Sequence, residues 1–219
     1  MEGTTKIRKD RVMKTSFKKF AFKLLLTLII AVNFGNAQEK ETDMQAMMKK
    51  YMDASAPGDA HKKFDDLVGS WDIATTMWMN GPDQPATTAK GTAELKLVLG
   101  GRFLQQETKG EFMGMPSAGI GFNGYDNLDK KYTMFWIDNS STAMYTAEGN
   151  FDKSGEILTM YGKMDDVLTG EHDKYAIYVL RLVDKNKWIF EFHDATSQPS
   201  TKVGEMVYTR EKKIKHLKY

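Results

Sequence analysis

The chain has no cysteine. That excludes disulfides, thiolate catalysis, cysteine-ligated zinc and lipid attachment at a lipoprotein cysteine, and it leaves the core alone to stabilise the fold. Histidine is scarce: His61, His172, His193 and His216 show no His-x-His or His-Glu-x-x-His spacing of the kind that ligates a metal. No glycine pattern leads from a strand into a helix, so a phosphate-cradling loop is missing. No order of Ser, His and Asp argues for a nucleophilic triad. The longest apolar run, Leu24 to Val32, is too short to cross a bilayer, which takes roughly 20 residues.

That run has a different meaning. Lys18, Lys19 and Lys23 precede it, and Gly35 and Ala37 follow at the minus-three and minus-one positions of a cleavage site before Gln38. Residues 1 to 37 therefore read as a secretory signal peptide, with Met13 as an alternative start, and the expectation is an exported protein, periplasmic or extracellular, with no membrane anchor after cleavage. Removing 37 of 219 residues takes away eight basic and two acidic groups and leaves a 182-residue chain with 23 basic and 27 acidic side chains, net charge −4. The basic excess of the whole sequence belongs to the leader. The remaining chain offers no broad footprint for nucleic acid, and only the tail, 212 to 219, is locally basic. Its length suits one domain with a sizeable core.

Residues 38 to 58 read as a helix and linker. Thr42 and Gln45 form a capping-box pattern, and Met44, Met47, Met48, Tyr51 and Met52 recur at helical spacing on one face, ending before Pro57-Gly58. Packing of this stripe on the protein's own sheet is the expectation. A second short helix is expected after Asp59 as N-cap, with His61, Phe64 and Leu67 on one side.

From Gly69-Ser70-Trp71 onward the period changes to 2, and Gly, Asn and Asp turn clusters punctuate the chain. The pattern predicts strands near 70–79, 87–98, 101–110, 117–124, 131–138, 142–150, 156–163, 174–183, 187–194 and 202–210. Short connections and no intervening helical pattern argue for an antiparallel up-and-down β-barrel of about ten strands over 59–211. Alternation places Trp188, Phe190 and Phe192 inward and His193 outward. Strands 131–138 and 174–183 are apolar on both faces, which points to a cover or to a homodimer interface.

Particular residues carry a family resemblance. His61-x-x-Phe64-x-x-Leu67-Val68-Gly69-Ser70-Trp71-Asp72, Leu99-Gly100-Gly101-Arg102-Phe103-Leu104, Gly121-Phe122-Asn123-Gly124-Tyr125-Asp126-Asn127, Tyr132-x-x-x-Trp136-x-Asp138 and Tyr208-Thr209-Arg210 together resemble the bacterial domain of unknown function 1579 family over residues 61 to 210. That family has no established activity, so the resemblance transfers no catalytic residue. More remotely, the chain is similar to calycin (lipocalin-like) barrels. There a Gly-x-Trp opens the first strand and a late Arg lies over the indole, which implies a structural closure by Gly69, Trp71 and Arg210.

Candidate ligand contacts are Gln105 and Glu107, taken as an inward polar pair, and Tyr125, Asp126, Trp136 and Asp138, an aromatic and carboxylate cluster whose acids also suit turn capping. A haem would need an inward histidine on a late strand, and His193, the one candidate, points out; no haem is expected. Met77, Met79, Met113 and Met115 raise Cu(I), but alternate methionines on a strand simply pack, and no cofactor is expected. The leading expectation is a non-enzymatic barrel for a small apolar ligand. An enzyme using Glu107 or Asp138, and a homodimeric interaction protein with a filled barrel, stay open.

Overall fold

The computed structural model describes residues 43–79, 81, 83–166, 169–196 and 200–212. Residues 1 to 37, expected as a signal peptide, Thr42 of the expected capping box and most of the basic tail lie outside them. Two compact units divide the chain, at Ser55 and Ala56. In the first, residues 43–55 form a helix, α1. Its methionine stripe is present on one face but is not buried: Met44, Met47, Met48, Tyr51 and Met52 are all exposed, the least of them by 55 %.

The second unit opens with a 3₁₀ helix, His61–Leu67, and continues as ten strands: β1 Gly69–Met77, β2 Thr87–Val98, β3 Phe103–Phe112, β4 Met115–Asp126, β5 Lys131–Asp138, β6 Tyr145–Phe151, β7 Ile157–Asp166, β8 Glu171–Asp184, β9 Lys187–Asp194 and β10 Thr201–Arg210. Every strand expected from the alternation is present. Each pairs antiparallel with its sequence neighbour, and β10 pairs with β1, closing the barrel. Closure leaves no strand edge free.

Directly paired residues share a face, so the register assigns the interior. Trp71 pairs with Ala93, Ala93 with Thr108, Leu95 with Gln106 and Leu97 with Leu104. Around the far wall the inward line runs Tyr125, Tyr132, Gly149, Met160, Tyr178, Phe192, Gly204. The 3₁₀ helix closes one end. Its three-residue period puts His61, Phe64 and Leu67 on one buried face. Asp59, expected as N-cap, instead salt-bridges Lys62, and the cap position falls to Ala60 without a side-chain bond.

The same end carries the Gly69, Trp71 and Arg210 arrangement. Gly69 has φ +130°, a conformation that side chains rarely adopt, and a Cβ there would meet Arg210 Nη1 at 2.7 Å. The guanidinium lies over the Trp71 ring, 4.2 Å from its centroid. It donates to the carbonyls of Val68 (2.8 Å), Asp66 (2.6 Å) and Lys185 (2.9 Å), tying the 3₁₀ helix and the β8–β9 turn to the last strand. Trp71 is 1 % exposed, and its Nε1 donates to Leu67 O at 2.9 Å. Tyr132 Oη donates to Ala60 O, and Lys63 to Gly155 O, so the plug is bonded to β5 and to the β6–β7 turn.

Candidate functional site at the open end of the barrel

The plugged half of the interior is solid. Trp188 stacks on Tyr208 at 3.5 Å between centroids and meets Trp71 edge-on. Gln106, buried among them, donates from Nε2 to Tyr208 Oη at 2.9 Å, which satisfies both polar groups. Burial pushes the Tyr208 hydroxyl well above its ordinary value, although the Gln106 contact opposes this.

The opposite half differs. Thr87, Ala89 and Gly91 on β2, Thr108 on β3 and Ser117 on β4 face inward by register yet are reached by solvent. These residues are small. The wall formed by β5, β6 and β9 carries large rings instead: Trp136, Tyr145 and Phe192, each facing in and each only half-buried. Trp136 reaches across β4 because Gly119 and Gly121 leave room; a Cβ on Gly121 would meet its ring at 2.6 Å, and one on Gly119 would overlap it. Its Nε1 donates to Asp138 Oδ2 at 2.9 Å, while the other Asp138 oxygen accepts from Ser140 N at 2.9 Å and from Ser140 Oγ. Asp138 thus caps the turn and orients the indole.

The sequence-derived candidates fall in three places. Trp136 and Asp138 sit at the open mouth. Tyr125 and Asp126 sit at the plugged end, where Tyr125 meets His61 edge-on at 5.8 Å between centroids and the Asp126 carboxylate, held low by the backbone N–H groups of Asp129 and Leu128, caps the β4–β5 turn. One site cannot contain all four. Gln105 and Glu107 are on the outer wall, bonded to each other at 2.8 Å, with Glu107 also near Lys96. The inward polar residue of β3 is Gln106. Gln105 and Glu107 share parity with Phe103, whose ring also faces outward, over the bare backbone of Gly124.

His193 faces outward too, with Nε2 3.2 Å from Glu191 Oε2. Glu191 is 8 % exposed although it lies on the outer face. Burial pushes its carboxyl up, but the hydrogen bond from His193 and the charges of Arg181 and Lys202 outweigh that and hold it below its usual value. Of the outward residues of the doubly apolar strands, Phe135 and Tyr175 line, with Phe103, Phe122 and Tyr161, a groove of about 670 Å³ on the outer wall. Among the described residues no group of three His, Asp or Glu is arranged to hold a metal ion.

Sequence reading missed one cluster at the mouth. Lys174 faces inward from β8, its side chain 15 % exposed, with Nζ 3.0 Å from Asp194 Oδ2 and 3.1 Å from Asp166 Oδ2. The hydrogen bonds that Lys174 donates to Asp194 and Asp166 raise its ammonium above its ordinary value. Burial pushes Asp194 up, while hydrogen bonds from Thr196 and Lys174 more than offset this and hold its carboxyl low. Alternation alone held the signal, since Lys174 shares parity with the buried Tyr178 and Asp194 with the half-buried Phe192.

A family model described as a protein of unknown function, DUF1579, matches residues 56–210. The chain belongs to the DUF1579 family. The match begins just before the 3₁₀ plug of this DUF1579 barrel and ends on the arginine that covers Trp71. Comparison with curated proteins gives no match. Among solved structures, the crystal structure of Rv2717c from M. tuberculosis is similar, with a TM-score of 0.52 and 14 % identity, covering 72 % of this chain and 100 % of that one. At that identity the likeness speaks to the fold of the DUF1579 chain and not to its chemistry.

Proposed function

We propose that this protein is an exported, non-enzymatic barrel that holds a small, largely apolar molecule in the open half of its interior. One observation carries the reading. Inward-facing positions are sealed at the plugged end, at Trp71, Leu104, Met160 and Tyr208, and solvent-reached at the open end, where small side chains on β2 to β4 face the half-buried rings of Trp136, Tyr145 and Phe192. A barrel interior lined on one side by small residues and on the other by aromatic faces suits an apolar guest. Asp138 has its oxygens engaged by Trp136 and Ser140, and Glu107 lies outside, so neither carboxylate supports the enzyme alternative.

Native mass spectrometry of protein purified from its own host tests the reading directly. A retained small molecule, released on denaturation, is the expected result; an apo mass, together with no change in Trp136 emission on titration with neutral apolar probes, refutes it. Export rests on the basic, apolar and small-residue order of residues 1 to 37, and N-terminal sequencing is expected to begin at Gln38. An intact leader on the accumulated protein would overturn that part.

The outer-wall groove favours a second reading, self-association. Phe103, Tyr161 and Tyr175 are exposed there beside Phe122 and Phe135, an apolar surface of the kind that pairs with a partner. Light scattering on the eluting peak decides it: a clean monomer removes this reading.

A further inference from the structure

The charge of the mouth selects among apolar guests. Three inward strands place ionised groups at the open end: Asp138 on β5, Lys174 on β8 and Asp194 on β9, with Asp166 at the end of β7 reaching Lys174. Among the described residues Lys174 is the one cation facing inward there, and both of its closest carboxylates lie within 3.1 Å. The residues at 80, 82, 167, 168 and 197 to 199 add no charge. Glu171, the register partner of Asp166, also reaches Lys174 at 3.5 Å, so one positive group against Asp138, Asp166, Glu171 and Asp194 leaves the mouth at −3.

Beneath this ring lies an aromatic floor. Ala176 pairs with Asp194, and one step deeper Tyr178 pairs with Phe192. Tyr178 meets Phe192 edge-on at 6.1 Å between centroids, stacks with Phe190 at 6.0 Å, and Phe190 meets Phe192 edge-on at 5.1 Å. Aromatic faces carry negative potential and attract organic cations, and carboxylates above them add to the same field. A guest carboxylate would meet repulsion and find Lys174 already engaged.

Resting on the binding-barrel reading above, we infer that the guest is an amphipathic organic cation, an apolar body bearing a protonated amine or quaternary ammonium, with its head held at the mouth by Asp194 and Asp166 over Tyr178 and Phe192. A fatty acid is the wrong guest for this barrel. An excess of carboxylates a few ångströms from the head in a water-reached site is worth on the order of tenfold in affinity between a cation and a neutral homologue, and about tenfold again between the neutral compound and an anion.

The test uses three probes with one tail, dodecyltrimethylammonium, dodecanol and dodecanoate, titrated into the full-length protein below their micelle concentrations and read by calorimetry and by indole emission. The expected order is ammonium, alcohol, carboxylate, with a gap that shrinks as salt is added. Asp194→Asn is expected to narrow the ammonium-to-alcohol ratio by roughly threefold or more and Lys174→Met to widen it, because the first removes and the second unmasks negative charge. Equal affinities, or tightest binding of the carboxylate, overturn the inference while leaving a binding barrel intact. Failure of all three probes to bind overturns the barrel reading and the inference with it. If the cluster merely clamps β7, β8 and β9 together, both variants melt earlier with the head-group ratio unchanged, and that result also overturns it.

Discussion

Replacing Gly69 by Ala separates two costs that the plug imposes on one atom. The first is conformational: a residue with a Cβ at φ +130° carries about 1–3 kcal/mol of backbone strain. The second is a collision, since the new Cβ would lie 2.7 Å from Arg210 Nη1. Moving the guanidinium weakens its bond to Val68 O, worth about 1 kcal/mol in so partly exposed a position, and its stacking on Trp71, worth roughly another 0.5–1. Gly69→Ala should therefore cost about 3 kcal/mol in the native background. In an Arg210→Ala background only the strain remains. A double-mutant cycle by urea denaturation, followed by far-ultraviolet circular dichroism so that indole changes do not intrude, is expected to show the pair less destabilised than the sum of singles by about 1–2 kcal/mol. Additivity within about 0.5 kcal/mol would refute the packing of the arginine against the glycine. A changed denaturant slope would signal a different end state and remove the cycle's meaning.

Three further outcomes follow from the interior. Tyr208→Phe strands the buried Gln106 amide and should cost about 1–3 kcal/mol, whereas Gln106→Leu added to it should recover much of the loss; thermal melts of both variants check this. Burial raises the hydroxyls of Tyr132 and Tyr178, each up to about 12 from an ordinary 10.0, so the unfolded state loses protons first as pH rises. Stability is then fully present below pH 10 and is lost as pH climbs through the interval to 12, a limb that Tyr178→Phe should flatten in pH-dependent denaturation. Gly119→Val should drive the Trp136 indole from its seat, red-shift emission and abolish probe uptake, at a stability cost of about 1–3 kcal/mol; retained uptake would detach Trp136 from the site.

The barrel was legible because its strands announce themselves. In β9, Trp188, Phe190 and Phe192 alternate with outward residues, and the turns at Asp126 to Asp129 and Asp152 to Gly155 cap their own backbones, so the strand count and closure follow from local chemistry. The site was less legible. In β3, apolar Phe103 sits outside and polar Gln106 inside, an inversion that no reading of one strand reveals; pairing Leu97 with Leu104 across the turn does. Asp126 looked equivalent to Asp138 because both end strands, yet β4 and β5 run in opposite directions, and the two acids lie at opposite ends of the barrel. The methionine face of α1 has its helical spacing, and periodicity specifies a face while saying nothing about what covers it.

The pairing of β1 with β10 sets the order in which this molecule can be completed. Trp71 finds its register partner Arg210 almost at the end of the sequence, so the seam joins strands separated by nearly the whole domain. Every other junction is a hairpin that forms as its second strand arrives, whereas the seam must wait for the last one. Until then β1 and β9 both present unpaired backbone, and a chain halted before Thr201 would keep both edges open to a neighbour. Loop closure over such a span is slow, which makes the final ten residues of the sheet the step that ends exposure to aggregation.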